Sequence, residues 1–199
     1  MTFSYRQGTS LLEPLTGQSA TFVMDGRDTN LRFARTLMKS LAEAAKSCII
    51  LDLDAFYSSN SDQIFMGPHG RQAERSIRVP LPGSDVEAEF SRLFETTQDA
   101  IVIDSMNSFY HLISEGNGSA RGRKMKFALA SLSQFASANN KAVILSMYGR
   151  EGLAKSGRGR QISSLSDVTA SVSTKNSEVE IRTERGPGWP GGSFPSRNP

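Results

Sequence analysis

Three short apolar runs in this chain end on residues that can do chemistry. Ala100-Ile-Val-Ile-Asp104-Ser105 closes on an acid and a serine, Cys48-Ile-Ile-Leu-Asp52-Leu-Asp54 on two acids, and Ala142-Val-Ile-Leu-Ser146 on a serine. An uninterrupted apolar run of this length is the pattern of a strand buried on both faces, as in a parallel sheet. Open α/β sheets place their ligands beyond the carboxyl ends of such strands, and that is the edge to which these carboxylates are delivered. A strand-end acid in a nucleotide-binding fold holds Mg²⁺. Its plainer role is to cap a helix or accept from loop amides, which is the reading favoured for Asp52, Asp54 and Asp104 once the first turn of the chain is considered.

That turn follows the first strand candidate, Ser19-Ala-Thr-Phe-Val-Met24, and reads Asp25-Gly26-Arg27-Asp28-Thr29-Asn30. A helix comes next, with Leu31, Ala34, Leu37, Met38, Leu41 and Ala45 at helical spacing and Asp28 or Thr29 as its N-cap. A phosphate-binding loop at this place needs a glycine-rich cradle of backbone amides, a lysine on the phosphates and a Ser/Thr hydroxyl on Mg²⁺. The turn has one glycine, Gly26, and no Gly-Lys-Thr. With Thr29 at the hydroxyl position, Asp28 takes the lysine's place and repels phosphate. Gly26, Asp28, Thr29, Asp54 and Asp104 are therefore read as a degenerate nucleotide site, with no ATPase activity, no cofactor and no metal expected. His69 and His111 stand apart from each other and from cysteine, which gives no zinc pattern. Ser105, Ser108 and Ser146 lack a His partner, so nucleophilic catalysis has no support.

The elements that must position these residues alternate between strand and helix. A helix is expected from Asp85 to about Thr97 with Val86, Phe90, Leu93 and Phe94 inward, and a short one follows Asp104 as far as Ile113. A stronger one carries Met125, Ala128, Leu129, Leu132, Phe135 and Ala136 and ends at Asn139-Asn140. Residues 61–84 read as irregular with a short strand at Ser76-Ile-Arg-Val79. Asp167-Val-Thr-Ala-Ser-Val172 and Glu178-Val-Glu-Ile-Arg-Thr183 read as antiparallel edge strands with a turn at Lys175-Asn176. The order implies one α/β domain over residues 19–184, an N-terminal arm over 1–18, and a Gly/Pro-rich tail over 185–199 that carries Trp189 and Phe194.

Charge adds a second theme. The net charge of +3 is modest, so placement matters more than the total. Arg121, Arg123, Lys124 and Lys126 form one basic cluster, in a loop entering the strong helix. Arg150, Lys155, Arg158 and Arg160 form another, spaced by Gly and Ser so that they can follow a phosphate backbone. The clusters hold almost no aromatic residues, so base stacking is not indicated by them. A single cysteine excludes an internal disulfide, and no apolar stretch approaches the length of a membrane span. The first residues show no apolar signal core, and a cytoplasmic, nucleoid or (in a eukaryote) nuclear location is the expectation.

Taken in order from Thr21 to Thr183, these motifs resemble the ATPase core of the RecA/RadA recombinase superfamily. Leu51-Asp52-Leu53-Asp54-Ala55-Phe56 is similar to the family's second strand, with Asp54 at the acid that polarises the attacking water. Ile101-Val-Ile-Asp104-Ser105 is similar to its Walker B strand. Ser119-Ala-Arg121, the long helix and Ala142-Val-Ile-Leu-Ser146 follow the family's order after its first DNA-binding loop, and Gly149 to Gln161 falls at the second. The chain departs from the pattern in its phosphate loop and in carrying Met147-Tyr148 where the family has a polar γ-phosphate sensor. The resemblance implies a three-layer RecA-like core, a mostly parallel central sheet and a C-terminal antiparallel hairpin. It further implies an ATPase-inactive recombinase paralogue that binds single-stranded or duplex DNA through both basic loops and assists homologous recombination or repair. Its partners would be a recombinase, other RecA-fold paralogues or further copies of itself, with no membrane involved. The alternatives are a RecA-fold ring subunit that engages tRNA, as in the Elongator accessory subcomplex, and a purely structural subunit.

Overall fold

A computed structural model describes residues 2–4, 11–65, 74–81, 83–113, 118–149, 165–175 and 178–186. The strands are β1 (Thr2–Ser4), β2 (Ser19–Met24), β3 (Cys48–Asp52), β4 (Arg75–Arg78), β5 (Ala100–Asp104), β6 (Ala142–Tyr148), β7 (Val168–Lys175) and β8 (Glu178–Arg185). They form one sheet in the order β1-β8-β7-β2-β6-β5-β3-β4. All pairs from β7 through β2, β6, β5 and β3 to β4 are parallel, while β7–β8 and β8–β1 are antiparallel.

The apolar runs are buried on both faces because helices cover both. Side chains alternate across a strand, so each run feeds two cores. Ile49, Leu51, Ile101, Ile103, Val143 and Leu145 pack with α4 (Val86–Ser91), α5 (Met106–Leu112) and α6 (Gly118–Asn139) through Phe90, Phe109, Leu129 and Leu132. Cys48, Ile50, Val102 and Ile144 face the other way, toward α1 (Arg27–Glu43), α2 (Phe56–Ser59) and α3 (Ser61–Phe65), with Phe33, Leu37, Leu41, Tyr57 and Ile64. Full burial of each such side chain is worth about 1.5–3 kcal/mol, so the two layers and the central strands hold each other. Leu11, Leu12 and Leu15 lie buried in the α1 layer.

Four expectations need correction. Ser61–Phe65, in the stretch read as irregular, forms helix α3. β7 is not an edge strand: it lies between β2 and β8, and β1 covers β8 in turn, so the edges of the described sheet are β1 and β4. Helix α1 starts earlier than a cap at Asp28 or Thr29 requires; Gly26 is its N-cap, in extended backbone and with no side-chain cap. Its apolar stripe stops short of Ala45, which sits past the helix end in left-handed backbone at φ 52°. There the Lys46 amide donates to the Leu41 carbonyl at 2.9 Å and the Ala45 amide to that of Ala42 at 3.2 Å, a complete Schellman cap. Among the described residues no helix is long and apolar enough to cross a membrane.

Candidate functional site at the carboxyl edge of the sheet

Parallel pairing brings the carboxyl ends of β2, β3, β5 and β6 to one edge, where side chains from α1, β5 and β6 form a polar network. Asp104, the last residue of β5, is fully buried. It accepts from the Ser146 hydroxyl on β6, and the Asn30 side-chain amide on α1 stands 3.5 Å from each of its carboxyl oxygens. The same amide donates to the Tyr148 hydroxyl at 2.5 Å, while Asn30 Oδ1 is buried with no partner among the described residues. Tyr148 is held in place by Asn107, which accepts from its amide at 2.8 Å and donates to its carbonyl at 3.2 Å.

The other two acids are engaged separately. Asp54 accepts from the hydroxyl of Ser105 at 2.7 Å and from that of Ser108. Asp52 accepts from the amides of Phe56 at 2.7 Å and Ser58 at 2.8 Å, which caps the short helix α2. Ala55, between them, is held in left-handed backbone at φ 52° to make that corner.

The electrostatics follow from the burial. Desolvation pushes the Asp104 carboxyl up to about 7; the Ser146 and Asn30 hydrogen bonds work against this, and the Asp54 and Asp52 charges add to it. Tyr148 is likewise held well above the ordinary phenol range, by burial first and then by Asp104. Near neutral pH, then, Asp104 exchanges a proton inside a closed network of O–H and N–H donors.

The residues read as a degenerate nucleotide site are only partly brought together. Asp54 and Asp104 share the edge, but Thr29 turns away: its hydroxyl meets that of Thr174 on β7 at 3.1 Å. Asn30, one residue on, takes the place facing the strand-end acid. Gly26 opens toward free space, and Asp28 is exposed on the first turn of α1. Among the described residues no group of three or more His, Cys, Asp or Glu is placed to hold a metal ion. A cation at Asp104 would have to displace the Asn30 N–H, so the residues as arranged do not fit Mg²⁺ there. Asn30 and Tyr148 are the members that spacing alone did not mark. The signal for Asn30 was present: it continues the buried stripe of Ala34, Leu37 and Leu41 backward by one turn, as a polar residue where an apolar one is expected.

The first basic cluster lies inside α6 rather than in a loop before it. Helix α6 packs on β6 and runs antiparallel to it, ending where β6 begins. Its 22 residues span about 33 Å, against about 23 Å for the seven of β6, and its first turns are the end nearest the carboxyl edge. Arg121, Arg123, Lys124 and Lys126 lie in those first turns, with Arg121 half-buried. Lys124 is tied to Glu87 of α4 at 2.5 Å and to the Ile113 carbonyl at 3.3 Å. Arg123 and Lys126 are exposed. The second cluster, Arg150, Lys155, Arg158 and Arg160, lies outside the described residues, as do His69, Trp189 and Phe194.

Solved structures share this architecture. One, an isolated ATPase domain, superposes with a TM-score of 0.57 at 9% identity, covering 86% of this chain and 78% of that one. A KaiC-like protein from the hyperthermophilic archaeon Pyrococcus horikoshii OT3 does so with a TM-score of 0.59 at 13% identity, covering 94% and 89%. The chain has a RecA-type fold. No protein-family model matches the sequence, and no curated protein matches it. The RecA-type core with its mostly parallel sheet and C-terminal β7–β8 hairpin is as the sequence implied. The expectation of a non-enzyme is corrected. In the first of these structures the fold is an ATPase domain, so the lysine-free turn does not by itself make the chain a non-enzyme.

Proposed function

We propose that this RecA-fold chain binds DNA through basic residues at the carboxyl edge of its sheet and assists homologous recombination or repair within a complex. The observation that carries the reading is the basic start of α6, the helix end nearest the edge where β6 ends, which carries Arg121, Arg123, Lys124 and Lys126, with Arg123 and Lys126 exposed. The second basic segment leaves from that same edge: Gly149, the last described residue before it, donates to the Met24 carbonyl at 3.0 Å beside the Asp25-Gly26 turn. Two clusters that start from one edge can track one phosphate backbone, and such contact is salt-sensitive and indifferent to sequence. The complex is completed by a recombinase or another RecA-fold chain.

The test is fluorescence anisotropy with labelled single-stranded DNA, duplex DNA and tRNA over a salt series, with and without ATP. DNA binding that weakens steeply with salt supports the reading. Preference for tRNA in competition replaces it with a ring subunit acting on RNA, and no binding to any of the three replaces it with a structural subunit.

A further inference from the structure

Phe127 is 76% exposed on the third turn of α6, an unusual setting for a phenylalanine. The helix has enough apolar surface without it: Met125, Ala128, Leu129 and Leu132 are buried, which leaves Phe127 on the opposite face. Its neighbours on that face are chemically specific. Arg123 is four residues back and Lys124 three residues back, both exposed, with Lys124 also holding Glu87 at 2.5 Å, and side chains three or four apart on a helix stand about 5–6 Å apart at Cβ. A flat aromatic ring beside two exposed cations is the minimal platform for a single-stranded nucleic acid, in which the ring takes an unpaired base and the cations take the flanking phosphates. A duplex offers its phosphates to the same cations but keeps its bases stacked, so the ring gains nothing from it.

We propose that Phe127 is the base-stacking residue of this face and that it gives the chain a preference for single-stranded over duplex nucleic acid. The proposal rests on the nucleic-acid reading above and adds the residue that discriminates. A protein partner is the competing occupant. It is disfavoured because seating an apolar surface on Phe127 would strip water from Arg123 as well, which is unfavourable for an ion left without a counter-charge.

The full-length chain is compared with Phe127→Ala, Phe127→Leu and Phe127→Trp for binding to a single-stranded oligothymidylate and to duplex DNA over a salt series. Phe127→Ala and Phe127→Leu should each weaken the single-strand complex about tenfold, leaving duplex affinity and the salt slope unchanged. Phe127→Trp should bind as the parent does, and its added indole emission should be quenched by the oligothymidylate beyond what Trp189 contributes in the parent. Unchanged single-strand affinity in Phe127→Ala overturns the stacking role and leaves the DNA reading standing. Loss in Phe127→Ala with full binding in Phe127→Leu means an apolar contact and also overturns it, as does a shift in oligomeric state with no change in DNA affinity. A parent chain that binds neither DNA overturns both readings together.

Discussion

The side-chain amide of Asn30 donates to the Tyr148 hydroxyl at 2.5 Å and faces both carboxyl oxygens of Asp104. One residue of α1 thus joins the ends of β5 and β6 across the sheet edge. In a buried setting, deleting one partner leaves the other unsatisfied, at about 1–3 kcal/mol. Asn30→Ala should lower the unfolding free energy by that amount. Tyr148→Phe should cost less, because the amide keeps Asp104. The double variant should fall short of the sum by about 0.5 kcal/mol or more, as expected for residues in contact. Urea unfolding of the four proteins measures this directly.

Asp104 makes the stability of the chain depend on pH in a direction opposite to that of an ordinary salt-bridged acid. Its folded value of about 7 lies above the ordinary 3.8, so the folded state retains a proton that the unfolded chain releases. Its contribution is fully present below the ordinary value and is lost as pH rises toward 7, at up to about 1.4 kcal/mol per pH unit. Above that point the loss from this group is complete. Asp104→Asn keeps an acceptor for Ser146 and removes the titration. It should flatten the profile between the two values and make the protein more stable than the parent at a pH of about 8, above the folded value, by thermal or urea unfolding.

Ala45 completes the Schellman cap of α1 with φ 52°, a conformation that costs a Cβ-bearing residue about 1–2 kcal/mol. Ala45→Gly should therefore raise the unfolding free energy by about 1 kcal/mol, since glycine adopts this backbone freely. The same change in the middle of α1, at Ala34, should lower it. Chemical denaturation of the two variants beside the parent checks both signs.

What could be read from the residues, and what could not, follows from how each feature is encoded. The buried strands were legible because two-sided burial writes itself as an unbroken apolar run, as in Cys48-Ile-Ile-Leu and Ala100-Ile-Val-Ile. The end of α6 was legible because Asn140, at φ 53°, is a residue type that marks left-handed caps; the end of α1 was not, because Ala45 carries no such mark. The start of α6 was missed because Gly118 to Arg123 is rich in Gly and Arg and has no apolar stripe, so only its continuity with the packed turns after Met125 makes it helical. The network at Asp104 was half visible. The acids stand out at strand ends, but Asn30 and Tyr148 meet them only after three elements are folded together. Phe127 stands out of register with the stripe of Met125, Ala128, Leu129 and Leu132, so its exposure was open to reading from helical spacing, but its surroundings were not.

The inference from turn to enzyme class was the weakest step. It drew an absence of activity from a turn with one glycine, no lysine and Asp28 in the lysine's place, and an ATPase domain with the same fold stands against it.

The most direct test of the central claim is the salt dependence of DNA affinity in the parent chain and in a variant with Arg123, Arg158, Arg160 and Lys126 all changed to Ala. If these residues contact phosphates, the variant should bind weakly or not at all at moderate salt. Where binding is measurable, its slope of log affinity against log salt should be shallower by about 0.9 for each duplex phosphate contact removed. A variant that binds as tightly as the parent, with the same slope, would contradict the claim that this edge holds DNA.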